Sequence, residues 1–225
     1  MKVLGKIALA AAALGGVAAV WFTIDFRRPV SADIRDFDPA EVARLDTEMW
    51  RSYYAKEHLK LFNQLISLLR TQYRMTATQS YVAAFHAAKS AFVFKDGQTR
   101  TDYERALPDL LDYYQAIRKV SKTPFDVQRA ARLELAWWIV HRQRSRHAAG
   151  DLDSALAKLA GELYQLPAAR FAEHARYRAE AMIIRDDSTE RGQLTEAEWQ
   201  HIHDLLQRSW LSLWQAVNAP YQTKT

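Results

Sequence analysis

The sequence predicts an all-α fold: an irregular helical bundle of about six or seven helices behind a single N-terminal transmembrane helix. Three observations predict it. Seven Gly and six Pro in 225 residues leave little material for turns, and no alternating β-branched run occurs, which favours long helices over strands. Helix-start signals recur along the whole chain. Residues 7–24 are uncharged and apolar, with Lys2 and Lys6 before them and Asp25, Arg27, Arg28 and Pro29 after them, the pattern of a membrane span or a secretory signal.

Eighteen helical residues span about 27 Å, close to the bilayer's hydrocarbon thickness once Lys6 reaches toward the headgroups. A small-residue cleavage site fits around residues 16–19, but the apolar run continues past it through Val20, Trp21, Phe22 and Ile24. Trp21 and Phe22 stand where an aromatic belt would. The segment therefore reads as an uncleaved anchor over residues 1–28, with a signal peptide as the alternative. A linker (29–37), a globular domain (38–218) and a tail (219–225) follow. Ala11, Gly15 and Ala19 recur every fourth residue, as do Ala12 and Gly16; small residues at that spacing let helices approach closely in lipid, so this face is expected to be an interface. Lysines before the span nearly balance the arginines after it, so charge gives little orientation. The default for such an anchor is a single-pass protein of a bacterial inner membrane with its domain in the periplasm.

Element by element, Asp38-Pro39-Ala40-Glu41 supplies an N-cap, a proline at the first helical position and a capping-box acid. Thr76…Gln79, Thr101…Glu104 and Thr195…Glu198 repeat the box, Thr123-Pro124 gives another start, and Gly150-Asp151 and Leu166-Pro167 mark two more. The helices expected are 39–74, 78–94, 102–121, 124–148, 152–165, 168–186 and 196–217. Pro108 should kink or restart the third, and Asp96-Gly97 and residues 186–192 should be loops. The first of these helices, about 54 Å long if unbroken, reads as the spine. Starts at irregular intervals exclude a regular tetratricopeptide array, which would repeat at 34 residues.

Composition narrows the function. Lysines and arginines are interspersed with acids at a net +5, which gives no nucleic-acid face. The absence of cysteine removes disulfide and thiolate chemistry. No phosphate-binding loop, dinucleotide fingerprint, nucleophile elbow or H-E-x-x-H occurs, so no nucleotide and no catalytic residue is expected.

Five polar residues stand where helical periodicity wants apolar ones: Glu48 and His58 on the spine, Glu134 and His141 on the fourth helix, and Glu180 in the stretch from 179 to 184. Converging, they would form a di-metal site of the kind built inside four-helix bundles. Such sites want Glu-x-x-His on two helices, and only Glu198-x-x-His201 is present. Ordinary pairing is the stronger reading: Glu134 with Arg178, and Glu180 with Arg176. No cofactor is expected. Leu133 and residues 135–140 cover the whole circumference of the helix with apolar side chains, which places Trp137 and Trp138 at the bundle's centre or against a partner.

The expected function is a membrane-anchored helical accessory or scaffold protein, a subunit or assembly partner of a larger membrane complex. Its partners are the membrane and other subunits, reached through the transmembrane helix and the apolar helix face. A metal-dependent bundle oxidoreductase or storage protein is the alternative, and a helical-hairpin peptide-binding module is a third reading.

Overall fold

Side-chain caps set where several of the helices in the computed structural model begin. It describes the backbone of residues 2–192 and 194–220, and their side chains apart from residues 2–11 and 188–191. The helices are α1 (Lys2–Arg27), α2 (Pro39–Tyr54), α3 (His58–Tyr73), α4 (Ala77–Asp96), α5 (Arg100–Glu104), α6 (Leu107–Val120), α7 (Val127–Arg142), α8 (Asp151–Tyr164), α9 (Ala172–Arg191) and α10 (Glu196–Asn218). No strand occurs among the described residues, only an isolated bridge between Ala32 and Ser121.

Asp38 caps α2, accepting from the Ala40 and Glu41 amides, and Thr76–Gln79 and Thr195–Glu198 form complete capping boxes. Four sequence expectations are corrected. The spine breaks at residues 55–57: Lys56 takes a left-handed φ of 59°, and the Glu57 amide reaches back to the Ser52 carbonyl at 2.9 Å, a Schellman-type stop without glycine. The box before α5 is Thr99–Asp102 rather than Thr101–Glu104, and the chain restarts at Leu107 with Pro108 in the first turn. The cap of α7 is Asp126, not Thr123, because Phe125 is buried and Thr123 is engaged by the Ser121 hydroxyl. Finally, α9 continues through the expected loop to Arg191, since nothing before Gly192 breaks it.

Short connections make successive helices antiparallel neighbours. α2, α3, α4, α6, α7, α8, α9 and α10 each pack on the next, and α10 packs back on α2, closing a circuit. Large side chains fill its middle. Phe94 of α4 meets Trp138 of α7 edge-on at 5.2 Å, and Leu69, Leu110, Ile117 and Phe171 are fully buried. One end of the circuit is crossed by residues 29–37. Ala32 exchanges hydrogen bonds with Val120 and Lys122 (2.7 and 3.0 Å), Arg35 donates to the Tyr164 carbonyl, Asn218 donates to the Arg35 carbonyl, and Arg74 pairs with Asp36 at 2.9 Å. Ile34 and Phe37 are buried beneath this strap.

α1 leaves from the same end. The Asp25 carboxylate accepts from the Thr78 amide at 2.8 Å, a negative charge at the start of α4 where the helix dipole favours it. The Gln79 amide, which also completes the α4 capping box, donates to the Phe26 and Arg28 carbonyls. Residues 12–24 of α1 are exposed along their length. Among the described residues no helix is long and apolar enough to cross a membrane; the side chains of residues 7–11 of the expected span, Ala11 included, lie outside them, as does the tail from residue 221.

Replacing Asp126 with Ala should lower stability by about 1 kcal/mol, the usual worth of an N-cap. Thr101→Ala should cost much less, because Thr99 carries the box. Chemical-denaturation midpoints of the two variants check the corrected helix starts.

Candidate functional site

Among the described residues, polar side chains gather in a buried knot at α2, α9 and α10, an aromatic enclosure on α7, a shallow cluster between α4 and α6, and an ion-pair cluster of His141, Arg144, Asp186 and Asp187 where the end of α7 meets α9. The knot centres on Asp46. Arg178 of α9 donates to it from between the rings of Trp50 and Trp210, each about 5.7 Å from the guanidinium. The Trp210 indole N–H donates to the same carboxylate at 2.9 Å. One turn away, His174 Nδ1 lies 3.1 Å from the Ser209 carbonyl, and the Ser209 hydroxyl donates to the His174 carbonyl at 3.0 Å. Burial, reinforced by the nearby Arg178 charge, pulls the His174 imidazole down to about 4. Every strong donor and acceptor here meets a partner, the arrangement of a structural joint.

On α7, Glu134 accepts from the Tyr114 hydroxyl at 2.7 Å and from the Trp138 indole at 2.9 Å. Burial pushes its carboxyl above the ordinary range, only partly offset by those hydrogen bonds and by the field of Arg178. Burial likewise raises the phenols of Tyr73, Tyr113, Tyr114 and Tyr164.

The five residues considered as metal ligands occupy separate places. Glu48 is ion-paired with Arg44 one turn away on α2. His58 is exposed at the start of α3, its ring against Phe92. Glu134 faces Tyr114 and Trp138, His141 pairs with Asp186 at 3.0 Å, and Glu180 is exposed. Arg178 bonds to Asp46 rather than to Glu134, and Arg176 lies over the Tyr177 ring. Trp137 and Trp138 are half-buried against the chain's own core, while Ala136 on the same helix is exposed.

Three metal-type ligands that do come together are His86, Asp109 and Asp112. The sequence reading missed them because His86 lies on α4 and the two acids on α6, and sequence places residues on helices without placing the helices. His86 Nδ1 is 3.0 Å from Asp109 and 3.7 Å from Asp112, but the Lys89 ammonium already holds both Asp109 oxygens at 3.0–3.1 Å. Burial opposes ionisation of Asp109, and hydrogen bonds from His86 and Lys89 outweigh it, holding the carboxyl below its ordinary range. The charge is compensated from within the protein.

What the fold leaves uncompensated is apolar surface. Leu14, Val17, Val20, Trp21 and Ile24 of α1 are each more than half exposed, and a Cβ on Gly15 or Gly16 would meet nothing within 4 Å. This helix and its junction with α4 are the candidate site. No family model, curated protein or solved structure matches the chain.

Asp46→Ala should leave Arg178 buried without its carboxylate and cost about 3–5 kcal/mol, the range for breaking a buried pair. Arg178→Met in the same chain should recover part of that loss, measured as a double-mutant cycle by denaturation. For His174, a folded-state value below the free value of 6.5 means that its contribution to stability is full above pH 6.5. It is lost as pH falls toward 4, about 3 kcal/mol in all. His174→Asn should flatten that part of the stability–pH profile.

Proposed function

We propose that the chain is a membrane-anchored helical accessory or scaffold protein, with α1 as its single-pass anchor and the helical circuit held outside a bacterial inner membrane as a subunit or assembly partner of a larger complex. One observation carries the reading: residues 12–24 of α1 are uncharged and exposed on every side, with large apolar side chains over most of the circumference and small residues over the rest. An apolar surface of this extent is not left in water. An amphipathic stripe would need a cover on one side only, whereas an all-round apolar helix needs an apolar surrounding. The uncharged run of residues 7–24, flanked by Lys2 and Lys6 and by Arg27 and Arg28, matches a bilayer in length and boundaries. The small-residue face at Ala11, Gly15 and Ala19 suits close approach of a partner's transmembrane helix. The junction adds a scaffold's requirement, because Asp25 and Gln79 fix the helix to the domain instead of leaving it on a loose tether.

In a bacterial host the full chain should stay with the membrane pellet through an alkaline carbonate wash. Val17→Arg, which places a charge in mid-span at about 2.5–3.5 kcal/mol, should move protein into the supernatant. Release of the unaltered chain by carbonate would overturn the reading.

A further inference from the structure

We propose that the outer face of the α3–α4 hairpin is a second membrane-contact surface, lying against the anionic headgroups of the bilayer that α1 enters. The proposal rests on the reading of α1 as an anchor and concerns what the domain itself touches there.

Among the described residues, four of the eight large apolar side chains exposed outside α1 sit on this hairpin: Leu59 (84%), Tyr81 (50%), Phe85 (50%) and Phe92 (51%). On α4, positions 81, 85 and 92 fall within about 40° of one another around the helix, so the three rings share one face. α3 supports it from the side, with Phe62 edge-on to Tyr81 at 5.3 Å and His58 against Phe92 at 5.9 Å.

The hairpin also carries most of the chain's positive charge, with Arg70 and Arg74 on its strap side beside Asp36, Asp38 and Trp214. Residues 55–97 hold Lys56, Lys60, Arg70, Arg74, Lys89 and Lys95 against Glu57 and Asp96, a net +4 of the chain's +5. Everything else in the protein is within one charge of neutrality. Three of these cations have partners: Lys60 with Glu57 and Arg74 with Asp36 in solvent-exposed, weakly held pairs, and Lys89 with the buried Asp109. Asp109 and Asp112 lie on its α6 flank beside His86 and Lys89.

The mixture selects the occupant. A protein–protein interface is depleted in lysine and enriched in contiguous apolar core. Rings interleaved with lysines suit a headgroup layer instead, where the rings enter the acyl boundary while the ammonium groups reach anionic phosphates. Position agrees. The first turn of α4 is bonded to the last turn of α1 through Thr78–Asp25 and through Gln79 to Phe26 and Arg28. Tyr81 lies one helical turn beyond that junction, about 6 Å along α4 from its start.

The chain has no cysteine, so single-site labelling is unambiguous. Tyr81→Cys, Phe85→Cys and Phe92→Cys variants of the full chain, and Ser154→Cys on the exposed side of α8 as control, would carry an environment-sensitive fluorophore. They would be reconstituted in phosphatidylcholine vesicles with or without phosphatidylglycerol. In the anionic vesicles the three hairpin labels should shift to shorter wavelength and be quenched by a lipid-borne nitroxide, while the Ser154 position stays aqueous. Adding Lys56→Glu and Lys60→Glu should abolish both effects without releasing the chain from the vesicles. Hairpin labels as aqueous as the control, in a chain that resists carbonate, would overturn this proposal and leave the anchor standing. Release by carbonate would overturn both. A blue shift in detergent without vesicles, growing with protein concentration, would assign the face to a second copy of the chain and likewise overturn the proposal.

Discussion

Asp46 is the carboxylate on which the helical circuit closes. α2 and α10 lie at opposite ends of the domain sequence, and a ring of antiparallel helices gains nothing from its last contact until those ends meet. Asp46 joins them by accepting from Trp210 of α10 and Arg178 of α9 at once. The two flanking indoles shield the pair from water, which strengthens the attraction and makes the loss of either partner expensive. His174 and Ser209 lock the adjacent turns of α9 and α10 in register. The neighbouring helices can then be read as short antiparallel steps, each needing only a local turn.

A ring of eight helices leaves a centre that short side chains cannot fill, and the aromatic content answers that requirement. Tyr73, Tyr114 and Tyr164 are buried from three different helices, and Phe94 reaches Trp138 from another pair. Phenols and indoles bring polar tips with them, and these need acceptors. Glu134 serves Tyr114 and Trp138 together, so its presence in an apolar stretch follows from the rings around it.

Much of this was legible in the sequence, and the parts that were not share a cause. Asp38, Thr76 and Thr195 announce their helices because a cap is a local event, settled by the residue and its next three neighbours. The break at Lys56 is not local in that sense: no glycine or proline marks it, and the left-handed turn is imposed by the packing of two helices on either side. Its only trace is that the apolar seams of residues 39–74 become polar around Glu48, Ser52 and His58. Thr123 was displaced by Phe125, whose burial no capping rule registers. At the site, the uncharged run of residues 7–24 was plain. The rings of α4 were not, because Tyr81, Phe85 and Phe92 have the spacing of a core stripe, and it is the packing of α4 on its neighbours that turns them outward. Glu134, His141 and Glu180 looked convergent for the opposite reason, since sequence places residues on helices without placing the helices.

The strap of residues 29–37 has a mechanical consequence. It is bonded to the ends of α3, α6, α8 and α10 through Arg74, the Ala32 bridge, Arg35 and Asn218. A load drawn along α1 therefore reaches the domain at several helix ends together and meets their bonds in parallel, where a free tether would peel one element after another. Torque is shared in the same way, through the Asp25 and Gln79 grip on the start of α4. The domain is thereby given a fixed azimuth about the axis of α1.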